Sequence, residues 1–229
     1  MKELFQIYLM SLLRPFATQE RLRVQREAGM RNSPEVISLF GEAPQVNEFE
    51  TDSSLTFVDA MCMSWTFSIL KAVYAIIAML IGLEWLGVMG QEGGYLEELK
   101  FWSNRAQTIT VFMIILEVIL FPLTLWFYAK FWGVVIRFFG DVFDVKGDCT
   151  NISEQIVNHS LSSHFFLIIP IFGELAKHVS SLMLIYAGLK RNMGLSTIQS
   201  LIVLLSPVML LLFIIFLTLL YIVLMISFI

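Results

Sequence analysis

The chain has 229 residues, of which 57% are hydrophobic and 15% charged, with mean hydropathy +0.77 and a formal charge of -4. A soluble domain carries about 25% charged residues, so this composition excludes an ordinary soluble fold and points to a polytopic membrane protein. The mild acidity and the absence of dense basic blocks exclude a nucleic-acid-binding tail, and two cysteines, Cys62 and Cys149, cannot make a disulfide framework.

Leu4, Phe5, Tyr8, Leu9, Leu12 and Leu13 recur at three- and four-residue steps and predict one amphipathic helix, ended by Pro15. It is too short to span. Two readings stand: a helix lying in the membrane interface, or a short helix packed under the bundle. Arg14-Pro15 follows instead of a small-residue cleavage site, so targeting through the first true span is expected rather than a cleaved signal. Thr18 is the predicted N-cap of a charged helix, Gln19 to Ala28, rich in Arg21, Arg23 and Arg26. Asn32 to Ser54 is acidic and turn-forming, with Pro34, Gly41 and Pro44, and reads as loop. Residues 1–55 are thus expected to be a cytoplasmic N-terminal segment and 56–229 a transmembrane domain.

Five spans are predicted in that domain, at about 58–88, 108–139, 156–171, 172–189 and 196–228, giving an all-α membrane bundle. The first contains Lys71 and Glu84. A polar loop from Gly90 to Arg105 follows, then the second span, interrupted by Glu117, Pro122 and Lys130. Pro122 is expected to kink it, because proline removes a backbone donor and crowds the preceding turn. Gly140 to Ser153 reads as a polar loop. The third span is short and starts wet, with Asn158, His159, Ser160, Ser162, Ser163 and His164. Pro170 and Gly173 predict a tight turn into the fourth. Both spans are near the lower length limit, so a re-entrant hairpin is the alternative to two crossings. Ser196 to Ile229 carries no charged side chain. As one straight helix it would be about 50 Å long, with Pro207 as a kink, and overshoots a bilayer core of about 30 Å.

Orientation follows from lysine and arginine in the connections. The N-terminal segment carries Lys2, Arg14, Arg21, Arg23, Arg26 and Arg31. The second loop carries Arg137 and Lys146, and the fourth carries Lys190 and Arg191. The first loop carries only Lys100 and Arg105. The N-terminus is therefore predicted in the cytoplasm and the C-terminus across the membrane.

A charge in the hydrocarbon costs about 3 kcal/mol on insertion scales and normally faces protein or water. Glu174, Lys177, His178 and Ser181 share one helical face. Together they can relay protons or hold an ion; the structural reading is an intrahelical ion pair with a histidine near the boundary. Glu117 has only apolar neighbours in sequence, and Lys71 is its possible mate by depth. That pair is either a proton or cation site or a salt bridge that fixes packing. Glu84 and Lys130 fall near the boundaries. His159 and His164 lie on different faces with no third ligand, so no metal is predicted. No HExxH, GxSxG or phosphate-cradling loop occurs, which points away from an enzyme, and no cofactor is expected. The sequons at Asn151 and Asn158 fall at the predicted cytoplasmic surface. Arg14, Arg137, Lys190 and Arg191 converge on that face as candidate contacts for anionic lipid or a partner.

Three stretches in the second half resemble the Yip domain of the Ypt/Rab-interacting membrane proteins: Phe138-Phe139-Gly140-Asp141 to Lys146-Gly147-Asp148, Ile168-Ile169-Pro170-Ile171-Phe172-Gly173, and Tyr186-Ala187-Gly188-Leu189-Lys190-Arg191-Asn192-Met193-Gly194-Leu195-Ser196-Thr197. Leu12-Leu13-Arg14-Pro15-Phe16 is similar to the lead-in of bacterial members. The resemblance implies five spans with the N-terminus in the cytoplasm. The Asp-Leu-Tyr-Gly-Pro motif of eukaryotic, Rab-binding members is absent, so the resemblance is to prokaryotic members and implies a bacterial inner membrane. Glu174, Lys177 and His178 depart from the usual apolar fourth span. The expected function is a non-enzymatic membrane scaffold or accessory subunit, associating with lipid and with another integral membrane protein or a second copy of itself. The alternative is a transporter or ion-permeable subunit using Glu117 and the Glu174/Lys177/His178 face.

Overall fold

The computed structural model describes residues 2–31, 55–89 and 96–227, which form helices with no strand among them. In chain order these are α1 (Lys2–Leu13), α2 (Pro15–Arg31), α3 (Phe57–Met89), α4 (Leu96–Val142), α5 (Cys149–Ser160), a 3₁₀ helix (Leu161–Ile168), α6 (Gly173–Arg191) and α7 (Thr197–Ser227). The loop expected over Asn32 to Ser54 and the glycine turn at 90–95 lie outside the described residues.

Among the described residues three helices are long and apolar enough to cross a membrane: Phe57–Gly82 within α3, Gln107–Val142 within α4 and Thr197–Ile226 in α7. The exterior is apolar, and polar groups are buried beside the apolar core. Buried positions include Ser11, Ser64, Ser68, His159, Ser160, Ser162, Ser163, His164 and Asn192, while leucine, isoleucine and phenylalanine cover the outside. Water-facing proteins bury the second kind and expose the first.

Two apolar clusters hold the helices together. Trp132, Ile136, Ile152, Ile156, Ile185, Leu189 and Val203 join α4, α5, α6 and α7. Tyr8, Ala60, Phe67, Phe121, Leu125, Leu161 and Leu167 join α1, α3, α4 and the 3₁₀ helix. Gly188 allows the α5–α6 contact, since a Cβ there would stand 2.6 Å from Ile156 Cγ2. Tyr8 and Ser11 face inward and Phe5, Met10 and Leu13 outward, so α1 packs into the bundle on its more polar side. This is the packed-helix reading of the N-terminal segment, with an apolar face left outside.

Several boundaries differ from those predicted. Pro15 starts a helix as well as ending one: it is the first residue of α2, where its missing N–H costs nothing. Thr18 is consequently inside α2, its N–H bonded to Arg14 O at 3.0 Å, and is no N-cap. The predicted loop from Gly90 to Arg105 is helical from Leu96, in a stretch of leucine, glutamate and lysine with good helix propensity. The loop at Gly140 to Ser153 shrinks to 143–148. Phe139 stacks on Phe143, and Asp148 caps α5 by accepting from Thr150 N and Asn151 N.

The third predicted span is not one helix. α5 ends at Ser160 and the chain tightens into the 3₁₀ segment. The hydroxyls of Ser160 and Ser162 donate to carbonyls three residues back, Val157 O at 2.7 Å and His159 O at 2.7 Å. A side chain anchored at that spacing competes with the helical bond and favours the tighter turn. The turn into α6 contains Ile171 at φ 65, with Phe172 N bonded to Pro170 O at 2.7 Å. Gly173 is required there: a Cβ would meet Phe166 O at 2.4 Å.

Pro122 and Pro207, where kinks are expected, sit inside continuous helices. The carbonyl that Pro122 leaves without a donor is Val118 O, and Trp65 Nε1 of α3 donates to it at 2.9 Å. The carbonyl freed by Pro207 is Val203 O, and Ser206 Oγ donates to it at 2.8 Å. Side chains thus replace the missing backbone bonds.

Candidate functional site

Lys71, Glu117, Glu174, Lys177 and His178, singled out in the sequence, meet at one place. Lys71 of α3 reaches across to α4 and α6. Its Nζ donates to Glu117 Oε1 at 2.9 Å and to Glu174 Oε1. Lys177, one turn along α6, places Nζ 2.6 Å from Glu174 Oε2, and His178 Nε2 is 3.7 Å from the same oxygen. The ammonium groups are the more enclosed partners. Side-chain exposure is 23% for Lys71 and 16% for Lys177, against 55% for Glu117 and 43% for Glu174. Two amines and two carboxylates cancel, leaving no net charge among apolar helices. Lys71 lies about 21 Å along α3 from Phe57, at 1.5 Å per residue. Glu174 is in the first turn of α6, where the helix dipole favours a carboxylate.

This arrangement binds three helices through one amine. Both carboxylates already accept from lysine, so the chemistry on offer is exchange of a proton or partner within a neutral cluster rather than capture of a bare cation. Ser181, on the same face of α6, serves elsewhere: its hydroxyl is 2.6 Å from Tyr128 OH, which is 3.3 Å from Ser160 Oγ. Glu84 has a side chain outside the described set.

A second polar layer lies beside the first and was not legible as a site. Tyr8 OH donates to Leu161 O at 2.7 Å, the carbonyl at the α5-to-3₁₀ junction, and Ser64 Oγ donates to the same oxygen at 3.2 Å. Ser11 Oγ donates to Ile7 O at 2.9 Å and stands 2.6 Å from His159 Nδ1. His159 Nε2 and Ser163 Oγ are buried and have no hydrogen-bond partner among the described residues. His164 turns away, with Nδ1 2.8 Å from Leu161 O. Among the described residues no group of three or more histidine, cysteine, aspartate or glutamate side chains gathers to hold a metal.

The basic end of the bundle is organised by Asn192, the C-cap residue of α6. Its Oδ1 accepts from Arg26 Nη1 at 2.8 Å and its backbone oxygen from Arg26 Nη2 at 3.0 Å. Its Nδ2 donates to Gln19 Oε1 at 3.0 Å and Gln155 Oε1 at 3.3 Å. One amide so ties α2, α5 and α6. Burial lowers the Arg26 pKa from its ordinary value, opposed by the nearby Glu27 carboxylate. Three of the four basic residues expected to act together at this end have separate attachments. Arg137 Nε donates to Gly133 O at 3.1 Å. Lys190 Nζ donates to Thr197 Oγ1 at 3.2 Å and lies 5.8 Å from the Tyr186 ring centre. Arg191 Nη1 is 3.7 Å from Glu20 Oε2. Arg14 is exposed at the junction of α1 and α2.

Comparison of the chain with protein-family models, curated proteins and solved structures found no match in any of the three.

Replacing Lys71 by methionine leaves Glu117 without its amine among apolar helices, while Glu174 keeps Lys177. The expected cost of K71M is about 3 kcal/mol, read as a lowered thermal midpoint in detergent, with K71R retaining most of the stability. A midpoint for K71M equal to wild type would show that the cluster does not hold the bundle.

Proposed function

We propose that the chain is a non-enzymatic integral membrane component, a scaffold or accessory subunit that associates with another membrane protein. The observation that carries this reading is α7. It has 31 residues, about 46 Å at 1.5 Å per residue, against a hydrocarbon core of about 30 Å. None of its most apolar 18-residue window is buried within the chain, and Val208 to Phe216 are exposed around the whole helix. A helix of uniform apolarity that exceeds the bilayer must tilt or be covered by protein. The neutral, pre-paired cluster at Lys71 supports the same reading, because it fits the packing role better than a site for a transported cation.

The topology that goes with this proposal has five crossings, with the N-terminus in the cytoplasm of a bacterial cell and the C-terminus outside. α5 and the 3₁₀ helix together reach about 34 Å and α6 about 28 Å, each close to the thickness of the core. A Yip-type membrane domain is the family reading that accompanies it. Within its motif Gly188 admits Ile156, Gly194 takes φ 78, and Ser196 and Gln199 form a reciprocal cap on α7. Ile171, 90% exposed at the tip of the α6 hairpin, is the position that separates two crossings from a re-entrant hairpin. In a background lacking Cys62 and Cys149, a cysteine at Ile171 is expected to react with an impermeant maleimide added outside whole cells. Protection from that reagent in intact cells, with reaction after solubilisation, would replace the two crossings by a hairpin.

A second reading, ion or proton movement, is favoured by one observation: Glu117 and Glu174 share Lys71, so a carboxylate from each of two helices lies at one depth. Mild-detergent purification separates the readings. A membrane partner at fixed stoichiometry, lost when Met209 and Phe213 are changed to alanine, is the expected result. Recovery of the chain alone, together with proteoliposome proton flux that E117Q abolishes, would contradict the scaffold reading and establish the second.

A further inference from the structure

The basic end of the bundle contains a groove of about 390 Å³ between the start of α3, the last third of α4 and α5. On α4 it is lined in turn by Trp126, Lys130, Gly133 and Arg137, which share one helical face. Glycine at 133 leaves the floor open: the nearest atom to a Cβ built there is Arg137 Nη2, at 3.7 Å. The bond from Arg137 Nε to Gly133 O folds the guanidinium back along α4 toward Lys130. Both cations thus line the same groove from one face of α4. Among the described residues neither Lys130 nor Arg137 has an acidic partner. Glu154 of α5 lines the opposite wall beside Asn151, and its carboxylate is likewise unpaired among the described residues. The wall is fixed: Asn158 Nδ2 donates to Leu55 O at 3.0 Å, bolting α5 to the lead-in of α3.

We propose that this groove binds a membrane glycerophospholipid, with Lys130 and Arg137 on its phosphate and Glu154 accepting from a hydroxyl or ammonium group of its headgroup. The proposal rests on the membrane reading above. The depth is right for it, because Phe57, where the apolar stretch of α3 begins, lines the groove, and Arg137 lies about 8 Å of rise before Val142, where that of α4 ends. Trp126, one turn deeper than Lys130, has the amphipathic ring that sits at headgroup level, and Phe57 and Val157 supply apolar surface for the glycerol ester region. Two cations and one carboxylate complement a phosphodiester with a donor-bearing headgroup. A headgroup with no donor, as in phosphatidylcholine, leaves Glu154 unmatched.

The test uses the full chain, delipidated in detergent and titrated with defined lipids under native mass spectrometry. One molecule of phosphatidylethanolamine or phosphatidylglycerol is expected to remain bound per chain, in preference to phosphatidylcholine. The K130Q/R137Q double variant is expected to weaken retention about tenfold or more. G133L keeps both cations and plugs the groove, and should weaken it similarly. E154Q should remove only the preference over phosphatidylcholine. Equal retention by wild type, K130Q/R137Q and G133L would overturn the proposal. Displacement of the lipid by inorganic phosphate, with phosphate binding that the double variant loses, would reassign the groove to a free phosphate and overturn the lipid assignment. Flotation of the wild-type chain with vesicles keeps the two levels apart. A chain that inserts but selects no lipid removes the groove proposal alone, whereas one that fails to insert removes the membrane reading beneath it.

Discussion

Among the described residues the polar side chains buried among apolar helices find partners inside the chain, His159 Nε2 and Ser163 Oγ apart, and that requirement shapes the bundle. In hydrocarbon an unpaired backbone or side-chain group costs several kcal/mol. Lys71 is the clearest case. Its amine is shared by Glu117 and Glu174, so α3, α4 and α6 meet where the charges must cancel. The same rule explains Trp65, whose indole N–H supplies the donor that Pro122 cannot, and Ser206, which does so for Pro207. It explains Tyr8 as well. The junction of α5 with the 3₁₀ helix leaves Leu161 O in need of donors, and Tyr8 and Ser64 provide them. Satisfying that carbonyl draws α1 into the bundle.

The consequence is a molecule with an internal polar seam and an apolar exterior. At one end the seam is Asn192 with Arg26, Gln19 and Gln155; it continues through His159, Tyr8 and Tyr128 and ends at the Lys71 cluster. Most of these groups are paired on the spot. A seam of this kind specifies how helices dock, since sliding one of them by a turn would break several bonds together. Such a frame suits the proposed role of presenting α7 to a partner, because among the described residues the buried positions of α7, Ser200 and Val203, lie near its start.

Much of this was legible in the sequence. The uncharged run after Ser196 dictates a long apolar helix whatever the rest does. The spacing of Glu174, Lys177 and His178 defines a helical face, and Lys71 matches Glu117 in depth. The sequence was silent on the join between these two sets, because it depends on how α6 is set against α3 and α4, and no local pattern encodes that. The broken third span was half visible: the serines were read as a wet helix start, while their bonds to carbonyls three residues back convert it to a 3₁₀ turn. Trp65 gave no signal at all, since its function is defined by a proline on another helix. Asn192 stood in the sequence only as one residue of the Tyr186–Thr197 stretch, and it is the amide on which three helices converge. Lys130 was read as a boundary residue, and Gly133 drew no attention, although together with Arg137 they shape the groove.

The account stands or falls on whether Lys71 and Glu174 act as one unit across helices. The direct measurement is a double-mutant cycle on thermal or denaturant stability with K71M, E174Q and the double variant. The account predicts strong non-additivity, with the double variant less destabilised than the sum of the singles by about 1–3 kcal/mol. Additive effects would contradict it, because they would mean that the two groups do not meet in the folded protein.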